Sequence, residues 1–596
     1  MTKQQLPEWN TSVFYKNIKD SKIQANLKAA EKSAINFAKK YRGKLNGVND
    51  KTLAKILAEY EDASELVTKP YMYGFLLFSM DSSDSQIGAF YQSIKIHATK
   101  ISEHFVFFDL ELLSFPDKKL MELANAKPLT NYKRFLERLI KQKSHRLSEK
   151  EEIILAQKSL TSRSAFVRLF DELKGKQRFS FEHKGKKYDL NQTEILNLRM
   201  SPDRGLRKAA ADGMTSGLKE SSDINSYILN VLMRDSAIVE RFTNYTKLVQ
   251  SRHEDNEIEE ATIQTMVTTV QDHSGIIREY LKIKAKKLGL KQIKFYDTVV
   301  PIFKNDYKVT FIDTKKIILD SFKEFDKGYA DIASKFFSEN RIDVPLRKGK
   351  SGGAFCMSAS PKTQPYILIN FDGKSHDVST LAHELGHGIN GELGRKQNLL
   401  NYGDPTILAE VASLFSELIL FDYQIKNAAT NKEKAALLAE KIEDLAGNVF
   451  RGVSVYNFEY AAHKASREEG ELSTEKFNLL WIKTQGDMYK DSIDTTGGYE
   501  YWWSYIAHFY HFSPAFYYYG YPFGALTALA LYAQYKKLDD KKDFVEKYYE
   551  FLSVGSSVSP LEKLKIFGFD INSQEYWQSA LAVLASFLKD FKRLQK

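Results

Sequence analysis

Long stretches of the chain repeat apolar residues every three or four positions, and this spacing is the strongest constraint on its fold. Such a pattern is typical of amphipathic α-helices. It covers residues 50–66, 149–174, 224–249 and 432–450. The 596 residues include only 13 prolines, so long helices can run without interruption. We therefore predict a mainly α-helical fold.

Signals for β-strands are few. Residues 178–190 alternate Phe179 and Phe181 with polar residues and then turn through the sequence KGKK, which predicts a surface β-hairpin. Residues 365–371, PYILINF, form a second candidate strand bounded by Pro365 and Gly373. We therefore expect only a few short strands beside the helices.

Composition excludes several classes of protein. The single cysteine, Cys356, rules out an intramolecular disulfide and the cysteine-based zinc modules. One thiol is typical of a reducing compartment. The opening MTKQQLPEWNTS has no apolar run, and no apolar stretch approaches the roughly 18 residues of a membrane-spanning helix. We expect a cytoplasmic protein that does not bind a membrane.

The charge pattern argues against a nucleic-acid partner. The chain has 86 basic and 76 acidic residues, a formal net charge of +10. Nucleic-acid binding usually needs such an excess gathered on one face. Here the lysines are interleaved with acids, as in EKSAINFAKKYRGK. A solvated, lysine-rich surface is the preferred interpretation.

The sequence TLAHELGHGIN at residues 380–390 contains the motif H-E-x-x-H. On a helix, His383 and His387 lie one turn apart on the same face, so both imidazoles can reach one zinc ion. Glu384 lies about 100° round the helix, where it can act as general base on a water molecule. The alternative is a helix with two ordinary core or surface histidines.

A catalytic zinc ion needs a third protein ligand and an open position. The extended motif H-E-x-x-H-x-x-G-x-x-H is excluded, because Asn390 and Leu393 occupy its last two positions. A glutamate from a later helix is the other known arrangement, and Glu410 is the candidate. Asp404 and Pro405 predict a helix start that puts Glu410 in the second turn. Its apolar neighbours make an unbound carboxylate there costly.

Glu417 follows seven residues later on nearly the same helix face. It could accept a hydrogen bond from the free ring nitrogen of a histidine ligand, or it could be an ordinary solvent-facing acid. Two neutral histidines and one carboxylate would leave a zinc site with a net charge near +1. Zinc lowers the pKa of a bound water from about 16 to near 7. These residues therefore indicate hydrolysis of an amide.

Four segments together resemble the oligoendopeptidase F branch of the thimet-oligopeptidase family of zinc metallopeptidases. They are GKSGGAFCMS with PYILINFDGKSHDVSTLAHELGHGIN, AEVASLFSE, HFYHFSPAFYYYGYPFG and the opening WNTSVFY. The resemblance implies that His383, His387 and Glu410 hold one zinc ion per chain and that Glu384 is the general base. It also implies a large, clam-like helical bowl with a deep substrate channel and a few short strands near the active site.

The resemblance also places catalytic residues near the C-terminus. His508 and Tyr521 match a histidine and a tyrosine that stabilise the oxyanion, and Tyr518 is a further catalytic candidate. Tyr517 and His511 are candidates for contact with substrate. The segment has one extra residue after His508 compared with the expected pattern, so His511 competes with His508 for the oxyanion role. Any of these tyrosines could instead be a packed core aromatic.

The glycine-rich segment 350–358 lies along the substrate in the resembling enzymes. Gly352 and Gly353 would let a peptide backbone approach closely and pair beside Ala354 as an added strand. A plain flexible turn is the alternative. Cys356 lies in the same segment, and we interpret it as a small apolar residue because no base partner accompanies it.

Two candidate boundaries, at 113–117 and 201–205, divide the chain. We expect an N-terminal helical region at 1–113, a small helical segment with the hairpin at 114–200, and the zinc metallopeptidase catalytic region at 201–596. The predicted function is a zinc endopeptidase acting on short unstructured peptides. A carboxypeptidase or dipeptidyl carboxypeptidase of the same chemistry is the alternative, followed by a non-catalytic helical peptide-binding protein. The sequence does not indicate the oligomeric state.

Overall fold

The structure is a computed structural model that describes residues 6–303 and 308–595, without the side chain of Glu149. Over these residues the chain is mainly α-helical with a few short strands, which confirms the predicted fold class. None of the described helices combines the length and the hydropathy that a membrane span requires.

The α-helices begin and end at definite residues along both described ranges. In chain order they are α1 Ser21–Tyr41, α2 Asp50–Glu65, α3 Thr68–Met80, α4 Ser85–Glu103, α5 Val106–Leu113, α6 Asp117–Ala124, α7 Lys133–Gln142, α8 Glu149–Ser159, α9 Arg163–Lys176, α10 Gln192–Asn197, α11 Arg204–Glu220, α12 Ser222–Phe242, α13 Gln250–Asp255, α14 Glu260–Asp272, α15 Gly275–Lys287, α16 Phe311–Phe325, α17 Lys327–Ser338, α18 Ser375–Gly394, α19 Val411–Asn427, α20 Asn431–Ala446, α21 Gly452–Glu469, α22 Thr474–Tyr489, α23 His508–His511, α24 Gly520–Lys537, α25 Lys542–Ser553, α26 Pro560–Lys565 and α27 Gln574–Leu594.

Short strands and tight helical turns connect these helices. The strands are β1 Phe179–His183, β2 Lys186–Leu190, β3 Ile293–Lys294, β4 Ile342–Asp343, β5 Ala354–Met357, β6 Tyr366–Ile369 and β7 Ile493–Asp494. The 3₁₀ turns are Thr11–Val13, Lys127–Tyr132, Lys143–His145, Leu198–Met200, Phe295–Asp297, Leu399–Asn401, Thr406–Leu408, Lys490–Ser492, Tyr499–Tyr505 and Tyr517–Tyr519, and Gly447–Arg451 is a π-helical turn.

The backbone divides into two compact units that interleave along the chain. The first comprises Met1–Ser144, Asn305–Lys426 and Gln534–Phe569. The second comprises His145–Lys304, Asn427–Ala533 and Asp570–Lys596. The contiguous division at 1–113, 114–200 and 201–596 stays a prediction.

Three predicted helices differ from the periodicity in where they end. The pattern at 149–174 predicts one helix, but the structure has α8 and α9 with a break between them. The pattern at 224–249 runs past the end of α12, where Asn244 has φ +60° and turns the chain. The pattern at 432–450 covers α20 and then continues as a π-helical turn. Apolar spacing in the sequence continues across these breaks, so it predicts the helices but not where each one ends.

The predicted hairpin is confirmed, and it lies in the second unit. Strands β1 and β2 pair antiparallel with Phe181 opposite Tyr188. Phe179 is buried, and it packs on α11 where Gly213 and Gly217 leave room for the two phenylalanine rings. One face of the hairpin therefore belongs to the core rather than to the surface.

The strand predicted at 365–371 is also confirmed, as β6 at the centre of a three-stranded sheet in the first unit. The strand order is β4-β6-β5, with β4 parallel and β5 antiparallel to β6. Trp9 Nε1 donates to the carbonyl oxygen of Ile367 at 2.8 Å. Buried Asp343 pairs with Lys350 Nζ at 2.8 Å, which fixes the chain that leads into β5. Trp9 thus anchors the central strand of the sheet, and Asp343 anchors the start of the glycine-rich segment.

A glycine on α18 brings that helix unusually close to α19. A Cβ atom at Gly386 would lie 2.6 Å from Ser416 Oγ and 2.7 Å from the carbonyl oxygen of Ala412. Backbone atoms cannot move aside as a flexible side chain can. The absence of a side chain at Gly386 is therefore what lets the two helices meet.

We expect Gly386→Ala to destabilise the first unit. Overpacking costs about 1–3 kcal/mol, more than the roughly 0.5–1 kcal/mol that alanine gains over glycine in a helix. The matched control is Gly175→Ala on α9, where a Cβ would meet nothing within 4 Å. Thermal unfolding should show a lower midpoint for Gly386→Ala and an unchanged or higher one for Gly175→Ala. Equal midpoints would contradict the close-contact interpretation.

Candidate functional site

The helix that carries H-E-x-x-H begins directly after the sheet. Helix α18 starts at Ser375, with Lys374 as its N-terminal capping position. The carboxylate of Asp377 accepts the backbone N–H groups of Asp372 at 2.8 Å and Lys374 at 2.9 Å. This satisfies donors at the helix start and fixes the direction in which α18 leaves the sheet.

Three predicted metal ligands converge in the first unit. His383 Nε2 lies 3.2 Å from His387 Nε2 and 3.3 Å from Glu410 Oε2. His387 Nε2 lies 3.4 Å from the same carboxylate oxygen. All three donor atoms are within 4.8 Å of one another. The i, i+4 spacing and the separate glutamate therefore meet at one point.

Glu410 does not lie in the second turn of a helix, so that prediction is wrong. Helix α19 begins at Val411, and Glu410 lies in the turn just before it, where Ser413 Oγ donates to its carboxylate at 3.1 Å. The expected capping residue, Asp404, is buried and paired with Lys563, and it accepts a hydrogen bond from Asn390 at 2.7 Å. Since Asp404 is engaged in this way, it does not start the helix.

Glu417 lies beside the histidines. Its Oε1 is 2.8 Å from His383 Nδ1, and Ser379 Oγ donates to its Oε2 at 3.4 Å. The Glu417 side chain is only 13% exposed. Of the two interpretations open from sequence, this geometry matches the acid that orients a histidine.

The charges in this cluster depend on one another. Burial opposes a charge on His383, but hydrogen bonds to Glu410 and Glu417 raise its pKa to about 10. Burial likewise opposes the charge of Glu410, and the hydrogen bonds from His383 and His387 hold its pKa well below the usual range. Glu410 therefore stays ionised because positive charge is shared among the donor atoms.

These residues fit a metal ion. Two imidazole nitrogens and one carboxylate oxygen form the donor set of many catalytic zinc sites. Glu384 is 6% exposed, and its Oε2 is buried with no hydrogen-bond partner among the described residues. Burial raises the pKa of Glu384, while the neighbouring histidines lower it. A metal ion with a bound water would supply the partner that this oxygen lacks.

A cavity of about 600 Å³ opens over these residues in the first unit. Glu384, Glu410 and Tyr402 contribute to its wall, together with the whole of β5. Burial raises the pKa of the Cys356 thiol on β5, which agrees with an inert apolar role. The cavity therefore joins the candidate metal ligands to an edge strand.

The glycines before β5 face open space. A Cβ atom at Gly352 or Gly353 would meet nothing within 4 Å, and Gly353 has φ +73°. Asn370 Nδ2 donates to the carbonyl oxygens of Ser351 and Gly353, both at 2.8 Å. The segment is thus held from one side and open on the other.

The C-terminal candidates lie in the second unit. His508 Nε2 is 2.9 Å from the Tyr521 hydroxyl, and the rings of His508 and Tyr518 are 4.7 Å apart. Tyr517 is near the same histidine, with ring centroids 5.9 Å apart. His511 is not in this group. It is exposed and pairs with Asp171 at 2.7 Å.

Burial, with a smaller contribution from the charge of Arg451, lowers the pKa of His508 to about 4. His508 is therefore neutral at physiological pH. One of its ring nitrogens then accepts and the other donates.

Two residues that support this group have no signal in the sequence. Glu459 Oε1 accepts the backbone N–H of Phe516 at 2.8 Å, and Arg252 Nε donates to the carbonyl oxygen of Ala515 at 2.9 Å. Phe516 has φ +67°, so this turn is held in an uncommon conformation. The contacts join residues that are 57 and 263 positions apart, which periodicity and motif spacing cannot detect.

Comparison with known proteins defines the class. The profile of peptidase family M3 matches residues 197–583, and that of oligopeptidase F matches residues 111–179. The group B oligopeptidase PepB of Streptococcus agalactiae serotype III (strain NEM316) is 28% identical over 94% of this chain and 93% of its own length. Oligopeptidase PepF of Bacillus subtilis (strain 168) is 28% identical, over 95% of this chain and 84% of its own.

Solved structures share the fold. A protein from Chlamydophila abortus superposes with a TM-score of 0.85 at 24% identity, covering 98% of each chain. Oligoendopeptidase-F from Enterococcus faecium superposes with a TM-score of 0.70 at 20% identity, covering 96% of this chain and 97% of its own. Since the family profile covers well over half of the sequence, the chain belongs to peptidase family M3 and is a peptidase.

We expect Glu417→Ala to weaken metal binding about 10- to 100-fold, the usual effect of removing an acid that orients a histidine ligand. Glu417→Gln keeps an oxygen acceptor and should lose less. Asp320→Asn, at an exposed ion pair on α16, is the control for loss of one negative charge. Competition with a chromophoric chelator measures the affinities. Wild-type affinity in Glu417→Ala would show that His383 does not need this acid.

Proposed function

We propose that the protein is a zinc-dependent endopeptidase that hydrolyses internal bonds of short peptides. One observation carries this proposal: the donor atoms of His383, His387 and Glu410 converge, and a Glu384 oxygen with no hydrogen-bond partner in the described part of the chain lies in the same cavity. A structural zinc site would have no use for a buried general base beside its ligands.

Each member of the cluster has a separate task in this proposal. His383, His387 and Glu410 would hold the zinc ion. When bound, zinc supplies Lewis-acid activation of a water molecule and of the peptide carbonyl group. Glu417 accepts the Nδ1–H of His383, which directs the Nε2 lone pair of that ring toward the metal.

Glu384 carries the proton through the reaction. Its carboxylate accepts a proton from the attacking water and then delivers it to the leaving amine nitrogen. Burial raises the pKa of this carboxyl group, which makes it a stronger base than an exposed glutamate. A carboxyl group with a raised pKa can also keep the proton until the leaving amine nitrogen accepts it.

Strand β5 is the proposed platform for the substrate. It lies at the edge of its sheet and forms part of the cavity wall, so an extended peptide can pair with it as a further strand. Gly352 and Gly353 leave the approach open, and Ala354 begins the strand. Pairing of this kind needs an unfolded segment, which accounts for a preference for short peptides.

His508 and Tyr521 are the proposed oxyanion stabilisers. Both can donate a hydrogen bond to the carbonyl oxygen as its negative charge develops. Tyr518 packs beside them as the third aromatic of the group, and Tyr517 is the proposed flank toward substrate. Because His511 is held by Asp171, we assign it no oxyanion role and at most a contact with the substrate.

Digestion of a mixed pool of short peptides, read by mass spectrometry, tests the proposal. Wild-type protein should release internal fragments, and a zinc chelator should stop the reaction. Glu384→Gln should keep about one zinc per chain but lose at least about 100-fold in rate, the usual effect of removing a positioned base. A near-normal rate in Glu384→Gln would remove this residue from the mechanism.

Peptides blocked at the C-terminus separate the proposal from carboxypeptidase activity. Cleavage in the middle of a blocked peptide supports the endopeptidase. Cleavage of free peptides alone, one or two residues from the end, supports the carboxypeptidase. No cleavage of any peptide by zinc-loaded wild-type protein contradicts both.

The two candidate histidines can also be separated. We expect His508→Ala to lower kcat about 10²- to 10³-fold, because one donor to the oxyanion is lost. His511→Ala should stay within about threefold of wild type, since it removes only an exposed pair with Asp171. Zinc content should stay at the wild-type level in both variants. The opposite order of effects would assign the oxyanion role to His511.

A further inference from the structure

Arg451 is a cation without an acidic partner close to the proposed oxyanion group. It ends the π-helical turn that joins α20 to α21, and its side chain is half-buried. π-helical turns are rare and frequently occur at functional sites. No carboxylate of the described residues lies within 4.0 Å of it. By contrast, Arg207 and Arg467 in the same unit are paired with Asp297 and Glu240.

The contacts of Arg451 are neutral hydroxyl groups. Its guanidinium donates to the Tyr518 hydroxyl at 3.3 Å and to the Tyr505 hydroxyl at 3.2 Å. Each tyrosine oxygen accepts from Arg451, so the O–H of each hydroxyl group is not used in that contact. Two O–H donors therefore lie beside one guanidinium, and all three groups can donate to a single anion.

The guanidinium of Arg199 also has no carboxylate within 4.0 Å in the described part of the chain. Arg199 donates to the carbonyl oxygen of Phe295 and the hydroxyl of Thr298, and its guanidinium is 5.3 Å from the centre of the Trp502 ring. Burial lowers the pKa of Arg199, and the charge of Arg451 lowers it further. The two cations therefore repel each other, and a bound anion would relieve this repulsion.

This cluster adjoins the proposed catalytic group through Tyr518. Tyr518 contacts Arg451 with its hydroxyl, and its ring lies 4.7 Å from His508 and 5.4 Å from Tyr521. A peptide whose carbonyl oxygen reaches His508 and Tyr521 would bring other parts of its chain near Arg451. The only anionic groups that an unmodified peptide carries are carboxylates.

We propose that Arg451, with the hydroxyl groups of Tyr505 and Tyr518, binds a carboxylate of the peptide substrate. The inference rests on the proposed function, since it takes the ligand to be a peptide. The carboxylate comes either from the C-terminus or from an aspartate or glutamate side chain. The guanidinium of arginine suits this ligand because its planar N–H groups match the two carboxylate oxygens.

Binding to a Glu384→Gln host tests the proposal without turnover. The probes are fluorescein-labelled peptides of uncharged residues: one with a free C-terminus, its C-terminal amide, an amide with one glutamate, and the same amide with glutamine. Fluorescence anisotropy should show at least one acidic probe binding about tenfold more tightly than its neutral twin, as hydrogen bonds to a charged group predict. The pair that differs identifies the source of the carboxylate.

Arg451→Gln in the same host should abolish that difference, and Tyr505→Phe should reduce it. Lys464→Gln removes an exposed positive charge from α21 and should leave it unchanged. Arg451→Lys keeps the charge without the planar fork and should retain only part of the preference. If circular dichroism shows that Arg451→Gln does not fold, Arg451→Lys replaces it in this test.

Equal binding of the acidic and neutral probes to the host would overturn the proposal. A preference for the acidic probe that survives in Arg451→Gln would also overturn it. If Arg451→Gln fails to fold, an undiminished preference in Arg451→Lys would have the same meaning. These outcomes are independent of the proposed function, which is decided by cleavage with wild-type protein. Cleavage without a carboxylate preference rejects the Arg451 site alone. A carboxylate preference without cleavage rejects the endopeptidase and keeps the binding site.

Discussion

The close approach of α18 to α19 is the contact on which the candidate site depends. Because Gly386 has no side chain, the backbone of α18 lies directly against the backbone of α19. At this distance, His383 and His387 on α18 face Glu410 just before α19 and Glu417 within it. A larger residue would push the helices apart, and the acids would no longer reach the imidazoles. The geometry of the candidate metal site is therefore a consequence of helix packing.

Electrostatics explains why this arrangement suits a cation. Two ring nitrogens and a carboxylate oxygen lie within 3.4 Å of each other, closer than uncompensated lone pairs would stay. In the structure, hydrogen bonds from the histidines hold the pKa of Glu410 low, so positive charge is already drawn to this point. A divalent ion would take over that role. Glu384 then differs from its neighbours, because it is buried and no cationic group bonds to it.

The sequence predicts the parts of this site that depend on local spacing. The i, i+4 histidines and the strand before them follow from periodicities of 3.6 and 2 residues. The helix start at Asp404 was predicted wrongly because Lys563, 159 residues away, takes that carboxylate into a buried ion pair. Glu459 and Arg252 escaped prediction for the same reason. Contacts between distant segments decide what a polar residue does, and a single sequence does not reveal them.

Arg451 shows how much of the charge pattern depends on the fold. From sequence, a net charge of +10 spread over interleaved lysines says little about a ligand. In the folded chain, Arg207 and Lys563 are buried and paired with Asp297 and Asp404, so a guanidinium that is held by hydroxyl groups instead is informative. Arg451 contacts two tyrosine hydroxyls and Arg199 lies over the Trp502 ring, and neither has a carboxylate within 4.0 Å among the described residues. Removing a guanidinium from water without pairing it to an acid is unfavourable. A carboxylate ligand bound at Arg451 would offset this cost.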